Sequence, residues 1–155
     1  MRIAVVGGGI FGITAAVRLA KNHSVDLFER RDDILKAASG INQYRLHRGY
    51  HYPRSVETAI SSLKAEPKFK KEYSGAIIDD VTHYYCISKR DSLTSAEQYL
   101  DFCRRCNLEF TLADTDLIKN DSVDVCISAK ESLIDPEKLR KICWERLKEN
   151  KVNTL

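Results

Sequence analysis

The sequence predicts an α/β fold, and three observations carry that prediction. A short β-branched run, RIAVVG, occupies residues 2–7. A helical pattern follows from Ile10 to about Lys21. A second apolar run, Val25, Leu27 and Phe28, then ends at Glu29. Strands buried on both faces read as unbroken apolar residues, as 2–7 does. Strand, helix and strand with short connections make one βαβ unit, the building block of a parallel sheet.

Composition narrows the class. The chain has 155 residues, 25 Lys plus Arg against 22 Asp plus Glu, and a net charge of +3. With 30% charged and 43% hydrophobic residues it lies in the globular range. A domain of this size buries about 70% of its unfolded surface, enough for a core. A charge of +3 is too small to argue for nucleic acid or an anionic membrane. Five cysteines, an odd number clustered late in the chain, are no disulfide framework and fit a reducing, cytoplasmic compartment. Cys103 and Cys106 form a C-x-x-C near the end of a helical pattern, with no second pair spaced for zinc. Core packing is the expected role there, and no metal site is expected. No stretch reaches the roughly 18–20 apolar residues of a membrane span. Ile3 to Val17 behind Met1-Arg2 mimics a signal peptide, but it contains Gly7, Gly8, Gly9 and Gly12. Each glycine would cost about 1 kcal/mol in a helical segment.

The remaining elements follow in order. Arg30 to Tyr52 has no long periodicity, with a helical turn or two expected at Asp32–Ala38. Pro53 is expected to open a helix whose Val56, Ala59, Ile60 and Leu63 share one face. Pro67 is expected to start a lysine-rich short helix or loop. Val81–Ser88 alternates and reads as a strand. Thr94 and Glu97 form a candidate capping box ahead of the stripe Ala96, Tyr99, Leu100 and Cys103. Glu109–Leu112 is an expected short strand. Val123, Val125 and Ile127 alternate with Asp124, Cys126 and Ser128, a half-buried strand. Asp135-Pro136 caps a helix over 135–149 with Leu139, Ile142, Cys143 and Leu147 inward. Val152–Leu155 reads as the start of another strand. Residues 1–75 and 130–155 are expected to form one domain, and 76–129 part of a second.

The strand-to-helix turn carries the chemistry. Gly7-Gly8-Gly9-Ile10-Phe11-Gly12 satisfies G-x-G-x-x-G directly after a buried strand and at the opening of a helix. Gly7 permits the tight turn, Gly9 lets backbone approach a pyrophosphate, and Gly12 lets helix and strand pack closely. The N–H groups at the helix start, with Ile10 and Phe11 among them, and the helix dipole suit a diphosphate. Glu29 lies 20 residues after Gly9, where an acid accepts hydrogen bonds from an adenosine ribose. Arg30 and Arg31 could instead meet a 2′-phosphate, which Glu29 would repel. These features predict a Rossmann-like dinucleotide-binding core over residues 1 to about 52. Spacing alone does not separate FAD from NAD.

The segment VVGGGIFGITAAVRLAKNHSVDLFER resembles the N-terminus of FAD-dependent oxidoreductases of the D-amino-acid oxidase type, which include glycine, sarcosine and L-2-hydroxyglutarate oxidases. Ala38-Ser39-Gly40-Ile41-Asn42 resembles the family's second flavin-contacting loop. Asn42, His47, Gly49 and Tyr52 resemble the N-x4-H-x-G-x2-Y pattern of the L-2-hydroxyglutarate oxidase branch. Ser132 to Leu139 resembles the family's V-D-P-x-x-L segment before a helix. Asn22 and His23 stand where the family often has glycine, and asparagine tolerates the left-handed turn. The resemblance implies that Gly7, Gly9, Ile10, Phe11 and Gly12 cradle the FAD pyrophosphate. Glu29 would bind ribose, with Arg30 beside the adenine. Ser39, Gly40 and Asn42 would line the middle of the cofactor, and His47 would approach the flavin ring. It further implies a mixed-sheet substrate domain and oxidation of a C–H bond next to an amine or hydroxyl of a small amino or 2-hydroxy acid.

Tyr44 to Tyr52 adds plausible chemistry, because it holds two of the four histidines and three of the seven tyrosines. Arg45 and Arg48 are candidate ligands for a substrate carboxylate, and His47 a candidate acid or base. A basic aromatic loop also stacks on RNA, but one such cluster at +3 is a thin footprint. An NAD(P)-dependent dehydrogenase and a non-catalytic nucleotide-binding remnant or interaction module are the alternatives. Family members are much longer, so a second chain or a further C-terminal portion is expected to complete the fold. The isolated chain is expected to show little turnover.

Overall fold

The computed structural model describes residues 1–155, the side chain of Asn120 excepted. In chain order the elements are β1 (Arg2–Val6), α1 (Ile10–Ala20), β2 (Ser24–Phe28), β3 (Arg45–Leu46), α2 (Val56–Glu72), β4 (Ile77–Ser88), α3 (Ala96–Arg105), β5 (Thr111–Leu112), β6 (Val123–Ile134), α4 (Pro136–Glu149) and β7 (Asn153–Thr154). The chain divides into two compact units, Met1–Tyr44 with Ile134–Leu155, and Arg45–Leu133. No helix among the described residues is long and apolar enough to cross a membrane.

The first unit is built on a parallel sheet of order β1-β2-β7. Ile3 stands opposite Val25 and Val5 opposite Leu27, so the two β-branched runs share one register. Asp26 faces Asn153 on β7 and accepts a hydrogen bond from its Nδ2 at 2.9 Å. Arg2 Nε reaches the other Asp26 oxygen at 2.7 Å, tying three strands through one carboxylate. Ile13, Ala16 and Val17 of α1 and Leu139, Cys143 and Leu147 of α4 are buried with Val25 and Leu27. Asp135 caps α4 by accepting from the N–H groups of Glu137 and Lys138, at 3.1 and 3.0 Å.

The second unit carries a sheet of order β3-β6-β4, with β5 also paired to β6. β3 and β5 both run antiparallel to β6. Its core gathers Tyr50, Ala59, Tyr99, Phe102, Cys103, Cys106, Leu108, Ile127 and Ala129. Both cysteines of the C-x-x-C therefore act as packing residues, and burial pushes the Cys103 thiol up to about 11.

Several expected boundaries move, each for a local reason. α2 begins at Val56, not Pro53, because Ser55 takes the N-cap and accepts from Thr58 N–H at 3.4 Å. Pro67 lies inside α2 rather than opening a new segment, at the cost of one backbone bond. The capping box belongs to Ser95 and Gln98, not Thr94 and Glu97. Thr94 is engaged one step earlier, its N–H and C=O both tied to the Ser92 hydroxyl. The Glu109–Leu112 strand contracts to Thr111–Leu112. β4 and β6 each run 12 residues, well beyond the expected spans. In β4 the two aspartates Asp79 and Asp80 hide the extension, Asp80 at a positive φ of 58°. The turn expected at Asp32–Ala38 is a series of bends, with a short 3-10 turn at Ala38–Gly40.

Candidate functional site

The glycine loop joins β1 to α1. Gly7 has φ of +105°, a conformation that side chains other than glycine's strain to adopt. At Gly12 a Cβ would stand 1.9 Å from the Gly7 carbonyl oxygen, so helix and loop touch backbone to backbone. This is the close approach the motif requires. Gly9 is the N-cap of α1 and has no side chain to cap the helix. A Cβ at Gly9 would meet only Ser39 Oγ, at 3.4 Å.

The donors of this loop divide into two groups. Gly7 N–H donates to Phe28 C=O at 2.7 Å, Gly8 N–H to Glu29 Oε2 at 2.6 Å, and Ile10 N–H to Ser39 Oγ at 3.2 Å. The N–H groups of Gly9, Phe11 and Gly12 have no acceptor among the described residues. Orphan donors at a helix start, with the dipole behind them, favour an anion. The Phe11 side chain is 89% exposed, so this residue contributes through its backbone.

Glu29 faces the loop from the end of β2. Besides Gly8 N–H it accepts Arg31 N–H at 3.0 Å. These bonds, Gly8's first, hold its carboxyl below the usual range, against a smaller opposing effect of burial. An ionised carboxylate offers about four acceptor positions, so roughly two remain for donors outside the protein. Glu29, Arg31, Asp32, Asp33, Trp144 and Leu155 are among the residues around a cleft of about 320 Å³. Arg30 is exposed. The Arg31 guanidinium donates to Lys36 C=O.

The second loop approaches through Ser39. Gly40 is required for space, since a Cβ there would lie 1.9 Å from Leu35 C=O. Asn42 shapes its own turn, donating to Ala38 C=O at 2.9 Å and accepting from Tyr44 N–H at 2.6 Å. The residues predicted from Gly7 to Asn42 thus all fall within the first unit.

Arg45, His47 and Arg48 fall in the second unit, around a carboxylate that the sequence analysis did not single out. Glu131 is 2% exposed and accepts three hydrogen bonds. These come from Arg45 Nη2 at 2.7 Å, Arg48 N–H at 2.7 Å and Tyr85 Oη at 2.5 Å. Burial would raise its pKa, but the three donors and the Arg45 charge bring it below the ordinary value. Arg45 also lies over the Tyr85 ring, 4.9 Å from its centre. Arg48 Nε sits 2.9 Å from Glu66 Oε2, and Lys70 holds the other Glu66 oxygen at 3.1 Å. Both guanidinium groups expected to face a substrate carboxylate therefore have internal partners.

His47 stacks at a tilt against His51, ring centres 4.0 Å apart. Its Nδ1 and the Nε2 of His83 are buried without a hydrogen-bond partner among the described residues. Burial, then the neighbouring His51 and Arg45, push the His47 pKa down to about 4, while Glu131 opposes. Burial also lowers His51 and His83. In the unfolded chain a histidine titrates near 6.5. Between about pH 6.5 and about pH 4 the unfolded state therefore binds protons the folded state does not, and stability falls as the pH falls. Melting temperatures should drop on acidification through this window, and a His47→Asn variant should show a shallower drop. Equal slopes in the two proteins would remove His47 from that account.

Two signals for the missed residues were present in the sequence. Glu131 continues the odd-numbered apolar phase of Val123, Val125 and Ile127, and Glu66 continues the inward stripe of α2. A charge on an inward phase marks a buried partner. Gly8 occupies a variable position of the glycine motif, yet a Cβ there would come within 3.1 Å of Glu29 Oε2. Trp144, Asp33 and Leu155 carried no local signal.

Residues 2–151 match the protein family described as DAO, FAD dependent oxidoreductase. A curated relative, the FAD-dependent monooxygenase kojA of Aspergillus flavus, is 37% identical over 109 residues, 66% of this chain and 26% of the relative. Glycine oxidase from Geobacillus kaustophilus has a similar structure, with a TM-score of 0.73 at 14% identity, covering 99% of this chain and 46% of that one. L-α-glycerophosphate oxidase from Mycoplasma pneumoniae, solved with FAD bound, gives 0.71 at 18% identity, covering 98% and 43%. The chain thus spans about a quarter of the length of the curated relative and under half of each structure.

Proposed function

The chain belongs to the family of FAD-dependent oxidoreductases, and from that premise we propose that its first unit holds the adenosine diphosphate half of FAD. The enzyme so served oxidises a C–H bond beside an amine or hydroxyl of a small amino or 2-hydroxy acid. The observation that carries the nucleotide reading is the set of unpartnered N–H groups at Gly9, Phe11 and Gly12, beside a carboxylate with acceptor positions to spare. A diphosphate is all acceptor and a ribose edge brings donors, so the two halves of the loop match the two halves of the ligand. Glu29, Asp32 and Asp33 line the adjoining cleft, which disfavours a 2′-phosphate. The Arg31 guanidinium is held by one bond to the Lys36 backbone carbonyl.

When bound, the flavin supplies the electron chemistry, and the protein positions and polarises. Ser39, Gly40 and Asn42 shape the loop beside the glycines, and Arg30 is taken as the neighbour of the adenine. His47 is proposed to keep the flavin-side role, as a neutral imidazole with a free Nδ1. Arg45 and Arg48, candidates for a substrate carboxylate, are proposed to contribute by fixing the backbone around His47 through Glu131 and Glu66. The remaining wall of the site is proposed to come from polypeptide outside these 155 residues, whether a later portion or a second chain. The odd, late-clustered cysteines support a cytoplasmic setting. The name of the Aspergillus flavus relative favours a second reading, oxygen insertion into a small molecule. Labelled dioxygen would leave its label in the organic product in that case alone.

Titration of the purified chain with FAD tests the nucleotide reading. Hydrogen bonds to a charged group are worth about 1.5–3 kcal/mol, so Glu29→Ala should weaken FAD by about tenfold or more. Glu29→Gln should fall between. Equal affinity for FAD in all three proteins would remove Glu29 from the site.

A further inference from the structure

We propose that Trp144, on α4, is the surface on which the adenine of bound FAD stacks. The inference rests on the nucleotide reading above and extends it to a helix outside the βαβ motif. Trp144 is the chain's single tryptophan and is 39% exposed. Its indole is tethered by the edge, because Nε1–H donates to Asp33 Oδ1 at 2.9 Å. Asp33 is itself fixed, accepting Ile34 N–H at 2.8 Å and lying 3.4 Å from Arg140 Nε. An edge tether sets the orientation of the ring, and the 39% exposure leaves part of it open to contact.

The covalent order of the ligand supplies the rest. Diphosphate, ribose and adenine follow one another, so a diphosphate at the start of α1 and a ribose at Glu29 carry the base into the space next to Glu29. That space is the cleft of about 320 Å³ which Trp144 lines together with Glu29. Small-ligand pockets run from roughly 300 to 1,000 Å³, so the cleft suits a nucleoside rather than a whole dinucleotide. A neutral base makes no ion pair with the surrounding carboxylates, but every base has a π-face, and tryptophan offers a large one.

The test uses the whole 155-residue chain and reads tryptophan emission, with flavin fluorescence as an independent report of binding. ADP and FAD should each quench Trp144 saturably, whereas riboflavin 5′-phosphate, which lacks adenine, should not. Loss of a base-stacking aromatic should weaken ADP and FAD by about tenfold in Trp144→Leu, with Trp144→Phe retaining most of the affinity. Saturable FAD binding with unchanged Trp144 emission, and an affinity within about twofold in Trp144→Leu, would overturn the stacking proposal and leave the nucleotide reading standing. No saturable binding of either nucleotide would overturn both. Quenching is measured in the unaltered protein, so the outcome does not depend on how the variants fold.

Discussion

Gly12→Ala is expected to abolish FAD binding and to destabilise the first unit severely. The added methyl would stand 1.9 Å from the Gly7 carbonyl oxygen, and backbone lies on both sides of that contact. No side chain can rotate away to relieve it. α1 would have to retreat from β1, moving the Phe11 and Gly12 N–H groups away from the diphosphate position. Overpacking costs up to about 3 kcal/mol and occasionally more, with backbone clashes at the high end. For a chain of this size that is a drop of about 10 °C in melting temperature. Phe11→Ala is the control, since a side chain 89% exposed contributes little to the core. That variant should melt within about 1 °C of the parent. Similar melting curves for Gly12→Ala and Phe11→Ala would contradict the packing described for the loop.

Glu131→Ala is expected to have an effect of similar size in the second unit. It strips the acceptor from Arg45, Tyr85 and the Arg48 N–H at once. Breaking a buried ion pair from one side costs about 3–5 kcal/mol, because the remaining charge stays desolvated. Glu131→Gln keeps an acceptor of the same shape and should recover part of the loss. The Glu131 contribution is fully present above the ordinary carboxylate range and is lost as the pH falls through its lowered native pKa. Thermal melts at neutral and acidic pH read both effects. A Glu131→Ala protein as stable as the parent at neutral pH would show that water reaches this cluster.

The first unit was legible because its determinants are local. Three features within 29 residues, the β-branched run, the glycine spacing and the acid ending β2, point to one βαβ unit, although β1 alternates between exposed and half-buried residues instead of being buried on both faces, with Val6 84% exposed. The second unit was legible only in outline. Its long strands pair at a distance in sequence, and in β6 the neighbouring buried pairs Cys126-Ile127 and Glu131-Ser132 interrupt the alternation. Capping residues shifted by one position where two overlapping boxes compete, and the backbone engagement of Thr94 by Ser92 decided between them. Arg45 and Arg48 looked free in the sequence because their partners lie 86 and 18 positions away, at Glu131 and Glu66. Trp144 and Asp33 meet across 111 positions, which no local pattern announces.

The most direct measurement follows the backbone amides themselves. In a nitrogen–proton correlation spectrum of the labelled chain, adding ADP or FAD should shift the resonances of Gly9, Phe11 and Gly12 most strongly and saturably. Saturable binding that leaves those three unmoved and perturbs residues away from the start of α1 would contradict the assignment of the phosphate site.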